Sequence, residues 1–366
     1  MTLVPFPIGN IIMIIVGAVL IYLALRKGYE PMLLVPIGFG AILVNLPYGG
    51  LMDEGGILRI IYDAGILTEI FPILIFVGIG AMTDFGVLLE RPSMLLYSIP
   101  AHLGIPAAFL LAYLIGFNPL DALSVGIIGA MDGPTAIYVT SQYAPRLLAP
   151  VTVCAYSYMS MIPILQVPLS KLLISKKERL TRMEYTPGKF AQSIRVVFPL
   201  FVTVIVGLIA PKGIPLIGSL MLGNFLKESG VVDRLARSAQ NEISNVTTLL
   251  LGVTIGGTMI ADDFLKLGTL LIFGLGLFAF IVGLSAGLLA AKVAYYITGG
   301  SVNPLVGATG VSAFPMAART AHMIARSEDP DNWLLMHAMA ANTGGQIASV
   351  VAGGAMLSLA ALFLVA

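Results

Sequence analysis

The stretch IIGAMDGPTAIYV, Ile127 to Val139, puts an acid and a Gly-Pro break inside an apolar run. A carboxylate at mid-bilayer depth costs about 2.5 to 3.5 kcal/mol on insertion scales, so Asp132 needs a compensating role. Two readings are open. Asp132 binds a cation, helped by the backbone groups that the break sets free. Alternatively, it caps the helix that starts at the break, because Asp before Gly-Pro is also an N-cap pattern.

The residues on either side decide the solvent. Of 366 residues, 58% are hydrophobic and 11% charged, against about 25% charged in ordinary soluble domains. Apolar windows recur along the whole chain, from Ile11–Leu25 through Met94–Phe117 and Leu267–Ala294 to Leu334–Val365. Several reach the roughly 20 residues that a spanning helix needs, and others are short or broken by Gly and Pro. Barrel strands would instead alternate polar and apolar residues. The expectation is an all-α polytopic membrane protein. The first apolar run has no basic residue before it and no clear small-residue cleavage site, so no signal peptide is expected.

Composition also excludes several functions. A net charge of +1 gives no sign of nucleic acid, and one cysteine, Cys154, reads as a small core residue. His102, His322 and His337 lie far apart without cysteine partners, and no phosphate-binding G-x-x-x-x-G-K-[ST] loop occurs.

The chain repeats itself. GIGAMTD (Gly78 to Asp84) aligns with GGTMIAD (Gly256 to Asp262), and at the same offset GAMDGPTA aligns with GATGVSA from Gly307. With small gaps, PIGFGAILVN before EGGILR resembles LIGSLMLGN before ESGVVDR. These matches divide the chain into repeats at 1–183 and 184–366. The basic cluster Lys176, Lys177, Arg179, Arg182 and Lys189 is expected in the cytoplasm, as are Arg26 with Lys27 and the Lys227–Arg237 stretch. With Glu90 and Arg91 also inside, Met94–Phe117 runs outward and Ala149–Ile174 runs back. Ser124–Thr140 then enters and returns on the outer side. In the second half the signs reverse, and Val302–Ala318 dips in from the cytoplasm. The expected architecture is therefore two inverted-topology repeats with paired broken or re-entrant segments, as in secondary transporters.

A few polar residues carry the candidate chemistry. SVNPLVGATGVSAFPMAARTAH packs Asn303, Thr309, Ser312 and Arg319 among the helix interrupters Pro304, Gly307, Gly310 and Pro315. Hard cations take oxygen ligands of these kinds. Arg319 either snorkels to the interface or grips a carboxylate through a bidentate fork. YSYMSMIP puts Tyr156 and Tyr158 on a helix expected to end at Pro163, and ANTGGQIASVVAGG adds Asn342 and Gln346. Asp84 and Asp262 read as capping or interfacial acids.

Together GAMDGPTAIY, AYSYM, GVTIGGTMIADDFL, NPLVGATGVSAFPMAART and ANTGGQIASVVAGG resemble the beta subunit of the sodium-pumping biotin-dependent decarboxylases. These are the oxaloacetate, methylmalonyl-CoA and glutaconyl-CoA enzymes, and the motifs fall in order over nearly the whole chain. The resemblance implies a carboxybiotin decarboxylase of the cell (inner) membrane, coupling decarboxylation to sodium export with proton uptake. It implies sodium and proton binding at Asp132 and Ser312. It carries over Tyr158, Asn303, Gly307, Arg319 and Asn342 as important residues: Arg319, Asp132 and Tyr158 in catalysis, Asn303, Gly307 and Asn342 with the ion. Its implied partners are a carboxyltransferase alpha subunit, a biotin carrier domain or subunit and a small gamma/delta membrane subunit, with the chain a homo-oligomer in the complex. Biotin would be carried by the partner, since this sequence has no Met-Lys-Met site. The alternatives are a sodium-coupled solute transporter without decarboxylase activity and a non-catalytic membrane scaffold.

Overall fold

The computed structural model describes residues 7–28, 30–185 and 191–365. Lys189 of the basic cluster lies outside them. Among the described residues the secondary structure is entirely helical, with no strand. Five helices are long and apolar enough to cross a bilayer: Ile8–Lys27, Pro92–Leu114, Gln192–Ile209, Leu267–Ile297 and a last one over Leu335–Ala360. Two further pairs, Ile57–Ile66 with Ile70–Met82 and Pro145–Ser160 with Ile162–Leu173, are bent by 62° and 59°. Apolar side chains of the first and third of these five helices face outward, as a lipid-facing surface requires.

The breaks fall where the sequence puts its interrupters, with one shift. The helix carrying Tyr156 and Tyr158 ends at Ser160, and Pro163 sits in the first turn of the next helix, where its missing N–H is harmless. The Ile127 stretch forms a 3-10 turn, Ile127–Ala130, which stops at Met131 in the left-handed region (φ 56°). A new helix, Gly133–Tyr143, then starts at Asp132. In the second half, the 3-10 turn Pro304–Thr309 precedes the helix Met316–Glu328.

Four shorter helices pack in two crossed pairs. Pro31–Val44 lies along Ser244–Gly257, and Ile70–Met82 lies along Ile214–Ser229. Glycines set both distances: a methyl group on Gly40 would collide with the Val253 carbonyl, and one on Gly223 with the Val77 carbonyl. Each pair is latched by a buried asparagine. The Asn45 amide donates to Met259 O at 2.8 Å while its oxygen accepts from Ala261 N at 3.2 Å. Asn224 donates to Thr83 O at 3.1 Å and Gly80 O at 3.4 Å. Both asparagines end their stretches, PIGFGAILVN and LIGSLMLGN, and both reach the ends of the GGTMIAD and GIGAMTD segments. A five-residue π turn also follows a short helix in each half, at Tyr62–Ile66 and Ala239–Ile243.

The largest apolar core joins the two broken segments to the long helices Leu267–Ile297 and Leu335–Val365. At one end the basic segment is clamped onto this core. Asn303 and Asn332 both donate to the carbonyls of Arg179 and Thr181, and buried Arg179 pairs with Glu328 at 2.7 Å.

Candidate functional site

The helix break at Gly133 exposes backbone N–H groups that need a cap, and Asp132 supplies it: Oδ1 accepts from Thr135 N at 3.3 Å. The other oxygen is left for different work. Oδ2 accepts from Ser312 Oγ at 3.2 Å and Ser349 Oγ at 2.6 Å, and the two hydroxyls are 3.2 Å apart. The capping reading of Asp132 thus holds for one oxygen, and the other is occupied by two serine hydroxyls. Asp132 and Ser312 are 4% and 2% exposed, and Ser349 is fully enclosed.

The second broken segment is held in place by the last helix. Asn342 donates to Val311 O at 2.7 Å and Gln346 donates to Ser312 O, so two amides fix the backbone on either side of the Ser312 hydroxyl. The Oδ1 of Asn342 is buried and unpaired, as are the hydroxyls of Thr135 and Tyr156. A methyl group on Gly133 would collide with the Tyr156 ring, so that tyrosine lies directly over the break. Thr135 and Tyr156 adjoin the Asp132–Gly133 break, and buried oxygens of this kind suit a desolvated hard cation.

The site is reached through a cavity of about 550 Å3 lined by Asp132, Ser312, Pro134, Tyr156 and Gln346 on one wall. Its lining also includes Ile75, Ile79, Ser244 and Thr248 from the paired helices.

Of the residues expected from sequence, Asp132 and Ser312 are in direct contact, and Asn342 holds the residue before Ser312. The others are elsewhere. Tyr158 donates to Phe273 O at 2.9 Å, and its ring lies among Phe273 and Phe280. Asn303 uses its amide on Arg179 and Thr181 and its oxygen on Leu305 N. Gly307 makes a reciprocal close approach: a methyl on it would meet the Gly287 carbonyl, and a methyl on Gly287 the Gly307 carbonyl. Arg319 is exposed, three residues beyond Met316, which lines the cavity. Asp84 and Asp262 are exposed, and Cys154 is buried. Sequence reasoning passed over Ser349, a serine in a small-residue helix whose only signal was its spacing of one turn from Gln346. It also left Tyr156 as an undistinguished neighbour of Tyr158.

A family model described as the Na+-transporting oxaloacetate decarboxylase beta subunit matches residues 9–360. The chain belongs to this family. It is 48% identical over 358 residues to the glutaconyl-CoA decarboxylase subunit beta of Acidaminococcus fermentans, covering 97% of this chain and 94% of that protein. To the methylmalonyl-CoA decarboxylase subunit beta of Veillonella parvula it is 46% identical, with 97% and 94% covered. To the oxaloacetate decarboxylase beta chain of Klebsiella pneumoniae it is 38% identical, with 95% and 94% covered. As a beta subunit of a sodium-translocating decarboxylase it is a multi-pass membrane protein and one part of a multi-subunit enzyme.

Proposed function

We propose that the Asp132–Ser312–Ser349 cluster is the point at which carboxybiotin decarboxylation and sodium export are coupled, with proton uptake balancing the exchange. The observation that carries the reading is the shared Oδ2: one buried carboxylate oxygen faces two serine hydroxyls, one from the second broken segment and one from the last helix. A sodium ion there would replace the hydroxyl hydrogen bonds by ion–oxygen contacts and displace the carboxyl proton.

The chemistry needs that proton. When the N–C bond of carboxybiotin breaks, CO2 leaves and the electron pair stays on the ureido nitrogen, which must be protonated. Asp132, the carboxyl group in contact with both serines, is assigned to release it as sodium binds. Moving one sodium ion against 100 mV requires about 2.3 kcal/mol, a modest demand on an exergonic decarboxylation.

Arg319 is assigned the carboxylate of the incoming substrate. It is exposed on the helix Met316–Glu328, one turn on from Met316, which lines the cavity. Tyr158, Asn303 and Gly307 act as positioning residues: they hold the helix Leu148–Ser160, the basic segment and the 3-10 turn against the core. Asn342 is assigned the ion site through its free Oδ1. Biotin would arrive on a carrier subunit charged by a carboxyltransferase alpha subunit, alongside a small gamma/delta subunit and further copies of this chain.

The recurrent order of the helices, π turns and asparagine latches supports two repeats, 1–183 and 184–366. The distribution of basic residues supports their inverted sense, with the basic segment in the cytoplasm. The test is decarboxylation of carboxybiotin by the purified complex with and without sodium, combined with sodium uptake into proteoliposomes. Turnover that ignores sodium, or uptake that ignores carboxybiotin, would refute the coupling.

A further inference from the structure

One part of the cavity lining has no role in that mechanism. It is the face of one helix and its preceding π turn, where Gln240, Ser244, Asn245 and Thr248 recur at helical spacing and all line the cavity. A polar stripe on a membrane-embedded helix calls for a polar partner, because lipid offers none. Gln240 satisfies its amide N–H on Ala81 O and keeps its oxygen available. The side chains of Ser244, Asn245 and Thr248 make no hydrogen bond to described protein groups, and Ser244 and Thr248 are largely buried. The stripe faces an apolar flank of Ile75, Ile79 and Met82.

We infer that this stripe is the recognition wall for the ureido head of biotin. The inference rests on the carboxybiotin reading above and names the residues that select the substrate. A cyclic urea is planar and neutral, with N–H donors and a carbonyl acceptor, and it is fused to an apolar ring. A row of amides and hydroxyls matches the first part, and the isoleucine flank matches the second. The charge of the cavity points the same way. Its ionisable carboxyl groups are those of Glu30 and Asp132, and no Lys or Arg lines it. A free dicarboxylate or acyl-CoA entering would meet acids without a compensating cation. A carboxylated biotin head has one negative charge to place, and Arg319, exposed one turn beyond the cavity-lining Met316, is assigned to it. A cavity of about 550 Å3 is within the usual size for a small-ligand site.

The lone cysteine makes the test clean, because Cys154 is buried and its sulfur lies 3.7 Å from Ile272 O. In the assembled complex carrying Asn245→Cys, N-ethylmaleimide should label the introduced thiol on this chain, while the same chain in the unsubstituted complex stays unlabelled. Free biotin should slow that labelling, and oxaloacetate at equal concentration should not. In parallel, Thr248→Ala should raise the KM for carboxybiotin about fivefold, the loss expected for one neutral hydrogen bond. Its half-activating sodium concentration should stay unchanged, and Thr248→Ser should restore KM. No labelling of the Asn245→Cys complex, no protection by biotin, equal protection by oxaloacetate, or an unchanged KM in Thr248→Ala would each overturn the inference. The unsubstituted complex separates the two levels. If it decarboxylates carboxybiotin with sodium but biotin gives no protection in the substituted complex, only the recognition wall falls. If it has no such activity, the carboxybiotin reading falls and takes the wall with it.

Discussion

The Ser349 hydroxyl lies 2.6 Å from Asp132 Oδ2, nearer than the Ser312 hydroxyl at 3.2 Å, although 217 positions separate it from the acid. The last helix therefore belongs to the proposed ion site as much as the second broken segment does. Ser349→Ala and Ser312→Ala should each raise the half-activating sodium concentration, by roughly tenfold if a ligand worth about 1.4 kcal/mol is lost. Turnover at saturating sodium should fall much less. A sodium activation curve unchanged by Ser349→Ala would remove that serine from the site and leave it a packing residue.

Asp132→Asn keeps the shape of the side chain and its capping oxygen while removing the charge. Sodium-dependent turnover should be abolished, since the amide neither neutralises the ion nor exchanges a proton for it. Protein yield in the membrane should hold, because Oδ1 can still accept from Thr135 N. Activity within a few fold of the unsubstituted protein would reduce Asp132 to a helix cap.

Asn303 makes the opposite case. Its two amide hydrogens go to the Arg179 and Thr181 carbonyls and its oxygen accepts from Leu305 N, so the side chain is engaged in holding the basic segment. Asn303→Ala should lower thermal stability by about 2 to 4 kcal/mol, the loss expected when several buried polar groups lose their partner together. Among molecules that stay folded, the sodium activation curve should move less than twofold. A large shift in sodium affinity with unchanged melting would put Asn303 back in the ion site.

Much of this was legible in the sequence, for physical reasons that differ by residue. The span read from hydropathy as Leu267–Ala294 is a helix over Leu267–Ile297, one turn longer; it is legible because lipid forces apolar residues onto every outward face. The Asp132 break follows from Gly133 and Pro134, which no continuous helix accommodates well. What lies across the bilayer from a residue leaves no local mark. Ser349 sits in a helix of small residues where a serine is unremarkable, and only the fold brings it to Asp132. Tyr156 and Tyr158 are two residues apart on one helix and so face different sides. Sequence favoured Tyr158, while the fold turns Tyr156 toward Gly133 and Tyr158 toward Phe273.

The clamp on the basic segment should depend on pH only in acid. Burial raises the Glu178 carboxyl, but hydrogen bonds from Tyr296 and Ser175 and the charge of Lys292 outweigh it, so its pKa lies below the ordinary value. A hydrogen bond from Arg182 at 2.7 Å likewise holds the Asp329 carboxyl low. Groups with depressed pKa stabilise the fold above their unfolded value, about 4, and lose that contribution as pH falls through the lower folded value. Amide exchange over residues 174–185, corrected for intrinsic rates, should stay protected from pH 8 to pH 5 and loosen below about pH 4. Loosening between pH 7 and pH 5 would show that other groups control the clamp.

The Arg319 side chain is exposed and makes no hydrogen bond or ion pair to the described residues, so its bland reading as an interfacial anchor has to be tested directly. If it takes the carboxylate of carboxybiotin, Arg319→Lys should fail almost as badly as Arg319→Ala. A point charge cannot reproduce the planar two-bond fork. An anchor would behave otherwise, because lysine also reaches the interface with an apolar stem and a charged tip, and would restore most activity. The measurement is carboxybiotin decarboxylation by both variants at saturating sodium, with membrane insertion checked by yield. Loss in both, with yield and sodium binding retained, separates the carboxylate contact at the rim from the ion site at Asp132. Near-normal turnover in the lysine variant would sink the carboxylate role and leave the entry of carboxybiotin to the uncharged walls of the cavity.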